Sequence, residues 1–327
     1  MAVVGLTMSG CGAAATGPAP SAGTGELQTV NVGQVKLPIF APLYVAEAKG
    51  YFKDAGIKLN LETVKSGQDA IPLASSGKLD VVVAGFSAGM FSAMESGLDI
   101  KVVGSMGVSD GSEKTPTELV ASKKLMDDGV VKSIADLRGK KIAAAGGAGG
   151  TGAFLLDLAL RDAGLSIKDV NLVNLGNPDM PAALKNGSID AALSSAPFSA
   201  QAIADGTGVS MAVPPKGTSG TGVIYGGKFA GSALSQKFFD ALARGAKDLQ
   251  GEARYSQDSL KIIGDATGQT AEQVAAVPLY TWLPNLAPLP DQLSGMEEVW
   301  MKAGAIKYSA PIAQDKYIDA SFSSKAK

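Results

Sequence analysis

The sequence predicts an α/β protein of two similar lobes, each built on a mixed, mostly parallel sheet, with a cleft between the lobes and a helical C-terminal tail. Three observations predict it. Strand-like and helix-like segments alternate from Leu27 onward, and strands separated by helices build parallel sheets covered on both faces. A short helix, a glycine, an aspartate and an apolar strand recur at a constant offset of 110 residues, pairing Asp69 with Asp179, Gly77 with Gly187, Leu79 with Ile189 and Asp80 with Asp190. The C-terminal segments read as helices without a strand series of their own.

The elements follow in order. "QTVNVGQVKL" reads as a strand. "APLYVAEAKGYFKDAG" reads as a helix, with Pro42 in its first turn and Gly56 past its end. "IKLNLETVK" is a strand, "GQDAIPLASSG" a short helix, "LDVVVAG" a buried strand, "SAGMFSAMESG" a helix and "IKVVGSM" a strand. A second series opens after the hydrophilic "GVSDGSEKTPT" with "TELVASKKL" and "SIADLRGKKIAAAG". A glycine-rich turn and its helix come next, then "VNLVNLG", "MPAALKNG", "IDAALSSA" and "PFSAQAIADG". After "GVSMAVPPKGTSGTG" come "VIYGGKF" and then mostly helix, which is expected to return to the first lobe and cover it. The expected division is 1–26 as leader remnant and tether, 27–115 plus 220–327 as the first lobe, and 116–219 as the second.

Composition narrows the chemistry. The 327 residues are 46% hydrophobic and 18% charged, enough for two domains with a large core. A net charge of −2 offers no electrostatic case for nucleic acid or an anionic membrane surface. There is no histidine, so the commonest general base and metal ligand is missing and a Ser-His-Asp triad cannot form. The single cysteine rules out an intrachain disulfide and a cysteine-rich zinc site. No metal or cofactor is expected.

That cysteine, Cys11, follows "MAVVGLTMSG" and precedes "GAAATGPAPSAGTG". A short apolar stretch, a small-residue box and a flexible tract read as a bacterial lipoprotein signal and tether, with Cys11 the lipidated residue. A signal peptide should open with Lys or Arg, and none precedes Cys11. A structureless N-terminus with a chance cysteine is the alternative. No other segment is apolar and long enough to span a bilayer.

Four strand-to-helix turns are the candidate site. In open α/β sheets ligands sit beyond the carboxyl ends of the strands, and facing lobes would point all four turns into one cleft. "KLPIFAPLY" offers Phe40, Ala41 and Tyr44; "AGFSAGMF" offers Phe86, Ser87 and Ala88; "SSAPFSAQ" offers Ser195 and Phe198. The fourth is "GGAGGTGAF", where Gly147, Gly149 and Gly152 have the G-x-G-x-x-G spacing of dinucleotide folds. The acid such a fold needs at the end of the next strand is missing, because "NLVNLG" ends without one. What remains is a turn whose glycines admit a ligand to the backbone and whose helix N-terminus attracts an anionic or polar group, with the Thr151 hydroxyl added. Gly149, Thr151 and Gly152 are therefore candidate contacts. A tight turn alone, and core packing for the aromatic residues, are the structural alternatives.

Here the sequence resembles a family. "APLYVAEAKGYFKDAGIKLNLETV", "GQDAIPLASSGKLDVVVAG", "IADLRGKKIAAAGGAGGTGAFLLDLALRDAGLSIKDVNLV" and "ALKNGSIDAAL" resemble the solute-binding proteins of ABC importers, of the nitrate, sulfonate and taurine class that also includes binders of the thiamine pyrimidine precursor. The resemblance runs from about Thr29 to Ala230. It implies a periplasmic-binding-protein type II arrangement, a ligand in the cleft, and delivery to a membrane permease by a monomeric, extracytoplasmic, lipid-anchored protein. A related enzyme branch makes the thiamine pyrimidine with histidine and a cysteine-rich motif; neither exists here, so that activity should be absent.

Ligand class stays open between two readings. The four arginines, Arg138, Arg161, Arg244 and Arg254, all lie outside the four turns, so no bidentate clamp on a carboxylate is visible. Lys36 is the only nearby cation in the turns. Backbone N–H groups, hydroxyls and aromatic walls suit a small organic anion at helix ends, and equally a neutral heteroaromatic. A non-transport sensor of the same fold is a further alternative.

Overall fold

The computed structural model describes residues 1–2, 26–112 and 115–326; Cys11 lies outside the described residues. In the first lobe, β1 (Gln28–Gln34), α1 (Ala41–Ala48), α2 (Tyr51–Asp54), β2 (Ile57–Thr63), α3 (Gly67–Ser75), β3 (Val81–Gly85), α4 (Ala88–Glu95) and β4 (Ile100–Ser105) follow one another. The second lobe holds β5 (Thr117–Ser122), β6 (Lys141–Ala144), α5 (Thr151–Arg161), β7 (Asn171–Asn174), α6 (Met180–Asn186), β8 (Ala191–Ser195) and β9 (Gly208–Ala212). The chain then returns as β10 (Thr221–Gly226) and continues through α7 (Ser235–Lys247), α8 (Gln257–Thr267) and α9 (Pro290–Lys302).

The two sheets share one plan. Their strand orders are β2-β1-β3-β10-β4 and β7-β6-β8-β5-β9. In each, three parallel strands are followed by one reversed strand, β10 or β5, that pairs antiparallel on both sides. Each reversed strand belongs to a crossing of the chain between lobes. β5 opens the second lobe, and β10 closes the first by inserting between β3 and β4.

The 110-residue repeat is visible in the hydrogen bonds. Asp80 Oδ2 accepts from Asn31 N at 2.8 Å, and Asp190 Oδ2 accepts from Lys141 N at 2.8 Å. Each aspartate also returns its own amide to the carbonyl of the same partner, at 2.9 and 2.8 Å. Gly77 and Gly187 both adopt left-handed backbone, φ +71° and +74°, which ends the helix before each aspartate. Leu79 and Ile189 are buried beneath. The repeated aspartates thus tie neighbouring parallel strands together.

Two sequence expectations change. The predicted helix from Ala41 to Gly56 splits after Ala48, because Gly50 takes φ +76° and re-aims the chain into α2. The "GVSMA" stretch, left without an element above, is the edge strand β9; five residues against one neighbour give too short a pattern to stand out.

The tail does more than cover the first lobe. α7 and α8 pack on the first lobe with Phe238, Phe239 and Leu242 in a core shared with Val30, Val81 and Tyr225. α9 packs against both α4 and α5, one from each lobe. A second core therefore joins Phe91, Phe154 and Trp300, with the Phe91 and Trp300 rings 5.8 Å apart.

Replacing Asp190 with alanine removes one charged acceptor from a strand amide. The expected loss is about 1.5–3 kcal/mol, the usual net worth of a hydrogen bond to a charged group. Urea unfolding should show the loss, and hydrogen exchange should speed at the Lys141 amide; unchanged exchange there would refute the assignment.

Candidate functional site

The strand ends of both lobes and both chain crossings converge on one cavity of about 100 Å³, several times the space one ordered water needs. The first lobe supplies Val35, Leu37, Phe40, Gln68, Gly85 and Phe86. The second supplies Gly150, Thr151, Gly152, Asn177, Leu193 and Ser195. Thr117 comes from the outgoing crossing, Thr218–Thr221 from the returning one, and Tyr280 from the tail. Lys65 is the one charged residue among the lining residues, and it is exposed.

Of the sequence candidates, the cavity brings together Phe40, Phe86, Thr151, Gly152 and Ser195. The others sit behind or beside it. Ala41 is fully buried in the first-lobe core. The Tyr44 hydroxyl accepts from Leu37 N at 3.2 Å and lies 3.1 Å from the carbonyls of Val35 and Leu37. It holds the lining loop from beneath, and burial raises its pKa. Ser87 caps α4 by accepting from Met90 N at 3.2 Å, while its backbone bridges Gly150 of the other lobe. Ala88 is buried, and a Cβ at Gly149 would lie 3.2 Å from its own Cβ, so this pair is packing between lobes. Phe198 begins a short helix, partly exposed and outside the lining.

Three helices start at the cavity wall, and their caps differ. Ser66 Oγ caps α3. Ser87 Oγ and Gln68 Oε1 take amides of α4, the latter from Gly89 N at 3.1 Å. α5 has glycine at its N-cap and no side-chain cap. The Ala153 amide is taken by the Gly150 carbonyl at 3.1 Å, and no side chain competes at this end, where the helix dipole favours a negative or electron-rich group.

A chain of hydroxyls forms another part of the wall. Thr117 Oγ1 hydrogen-bonds the Tyr280 hydroxyl and lies 2.8 Å from Ser195 Oγ. Burial pushes the Tyr280 phenol up to about 12, although its bonds to Thr117 and Ser195 pull the other way. It stays a neutral donor at physiological pH. Thr221 Oγ1, on the returning strand, is buried and has no hydrogen-bond partner among the described residues.

Sequence reasoning missed Gln68, Thr117, Asn177, Thr221 and Tyr280. Thr117 and Thr221 carried one usable signal: each is the first residue of a crossing strand. Tyr280 carried none, since only tail docking brings it to Thr117. Among the described residues no group of three or more acidic or cysteine side chains is placed to hold a metal ion, and no helix is long and apolar enough to cross a membrane.

A family model described as the NMT1-like family matches residues 23–217, more than half of the chain. A Haemophilus influenzae protein named for thiamine biosynthesis is 33% identical over 158 residues, covering 48% of this chain and 46% of that protein. A 4-amino-5-hydroxymethyl-2-methylpyrimidine phosphate synthase of Aspergillus parasiticus is 30% identical over 158 residues, covering 48% and 42%. The chain thus matches about half the length of these curated relatives. Among solved structures, the alkanesulfonate-binding protein SsuA from Xanthomonas axonopodis pv. citri bound to MOPS superposes with a TM-score of 0.67 at 19% identity, covering 87% of this chain and 96% of that one. The fold is that of the periplasmic binding proteins.

The raised phenol gives a pH prediction. The folded value lies above the unfolded value of about 10, so the neutral phenol's contribution is complete below about pH 10 and disappears as pH rises through about 12. Stability measured by denaturant should be lower near pH 11.5 than near pH 9, and folded-state phenolate absorbance should lag that of the unfolded chain. Coincident titrations would contradict the buried hydroxyl chain.

Proposed function

The chain belongs to the NMT1-like family, and from that premise we propose that it is an extracytoplasmic solute-binding protein of an ABC importer. In this reading the cleft captures a small organic anion of the sulfonate or carboxylate type and delivers it to a membrane permease. One observation carries the ligand class: the start of α5, which has no side-chain cap, at the wall of a cavity whose one charged lining residue is the exposed Lys65. Anion binding at a helix N-terminus needs no cationic side chain. Phe40 and Phe86 supply apolar walls for the body of the ligand, and the Ser195 and Thr221 hydroxyls add donors.

A second reading is a neutral heteroaromatic such as a thiamine pyrimidine precursor. Two observations favour it: no arginine, aspartate or glutamate lines the cavity, and of the two curated relatives one is named for thiamine biosynthesis and the other as a synthase of the pyrimidine phosphate. Binding is preferred to synthesis because the chain has no histidine to serve as base or ligand. Membrane attachment through Cys11 rests on the Met8–Cys11 box and the small-residue tract after it.

Mass spectrometry of solute carried through purification, followed by calorimetry with butanesulfonate and with 4-amino-5-hydroxymethyl-2-methylpyrimidine, tests both readings. Tight binding of butanesulfonate supports the first; binding of the pyrimidine alone replaces it with the second; turnover of either compound overturns both. Thr221→Val should weaken the bound solute about tenfold, or about 1.4 kcal/mol. Its ligand-free stability should not fall, because a buried hydroxyl without a partner is exchanged for a methyl of similar shape.

A further inference from the structure

Thr151 opens α5 in the second lobe, yet its side chain is seated in the first. Its hydroxyl lies 2.8 Å from the Phe86 carbonyl and 3.0 Å from the Gly220 carbonyl, and donates to them. The seat exists because two residues there lack a Cβ. A Cβ at Gly220 would stand 2.2 Å from Thr151 Cγ2, and a Cβ at Gly85 would stand 2.5 Å from Thr151 Oγ1. Real Cβ atoms do not come that close, so each glycine makes room for one branch of the threonine. Next to it, Ser87 and Gly150 form an isolated antiparallel bridge across the same boundary.

We infer that Thr151 is a positioning residue: it registers the two lobes by docking its methyl and hydroxyl into a socket formed by Gly85, Phe86 and Gly220. The inference rests on reading the inter-lobe cavity as the binding site, because the socket forms part of that cavity's wall. A ligand contact for the hydroxyl, expected from the sequence, is not what the geometry favours. The hydroxyl has one proton, and two carbonyls of the opposite lobe already compete for it. Because all the contacts are within the chain, the socket favours lobe closure independently of any solute.

The test reads lobe separation directly and uses no solute, so it can fail independently of the transport reading. Spin labels go on Lys78→Cys in the first lobe and Lys185→Cys in the second, both exposed, with the single native cysteine removed as Cys11→Ser. The parent should show a dominant short distance. Gly220→Ala should cut that population at least fivefold, because the new methyl collides with Cγ2. Thr151→Ser removes only Cγ2 and should restore the short distance when combined with Gly220→Ala. Thr151→Ala adds no atoms, avoids any doubt about folding, and should also depopulate the short distance. A parent that is wholly open without solute, a Thr151→Ala variant as closed as the parent, or a double variant as open as Gly220→Ala would each overturn the inference.

Discussion

The carbonyl oxygen of Gly220 is the point on which the two lobes and the returning chain all converge. It accepts the Phe86 amide at 2.9 Å within the first lobe and the Thr151 hydroxyl at 3.0 Å from the second. Gly220 immediately precedes β10, and β10 must run antiparallel between β3 and β4. A reversed strand necessarily starts where its parallel neighbours end. The returning crossing is therefore delivered to the carboxyl ends of the strands, where ligand sites of α/β sheets lie. The same logic places Thr117, at the start of β5, beside Ser195 at the end of β8. The cavity is built by topology as much as by the strand-to-helix turns.

Its electrostatics follow from what lines it. With Lys65 exposed at the wall and no other charged lining residue, the wall presents mainly neutral dipoles. Two α-helix starts at the wall have their amides taken by Ser66, Ser87 and Gln68, and α5 does not. Of three helix ends at the wall, only that of α5 is thus without a side-chain cap. Elsewhere on the wall, the Tyr280–Thr117–Ser195 hydroxyls bring together the tail and the second lobe. A phenol that resists ionisation keeps that side supplied with a donor.

The tail couples what the crossings connect. Trp300 Nε1 donates to the Gly150 carbonyl at 3.2 Å, directly before α5. The same indole packs on Phe91 of α4. α9 therefore supports the glycine loop from behind while resting on the first lobe, so movement of one lobe against the other must pass through its packing.

The sequence by itself determined the two-lobe α/β architecture and its internal repeat. Strand and helix periods are local, and the offset of Asp80 and Asp190 survives as matching hydrogen bonds to Asn31 and Lys141. It also brought Phe40, Phe86, Thr151, Gly152 and Ser195 to the cavity's list, because ligands of such sheets lie at strand ends. Tertiary structure alone decided which members of each turn face inward. Tyr44 and Ser87 look like site residues in sequence, but their oxygens are held by nearby backbone amides whose positions only the fold defines. Tertiary structure also recruited Tyr280, since its contact with Thr117 across more than a hundred residues leaves no local pattern. Thr151 shows the division most plainly. Its place at a helix start is written in the neighbouring glycines, while the partner of its hydroxyl depends on Gly85 and Gly220 of the other lobe, whose missing side chains acquire meaning only once the lobes meet.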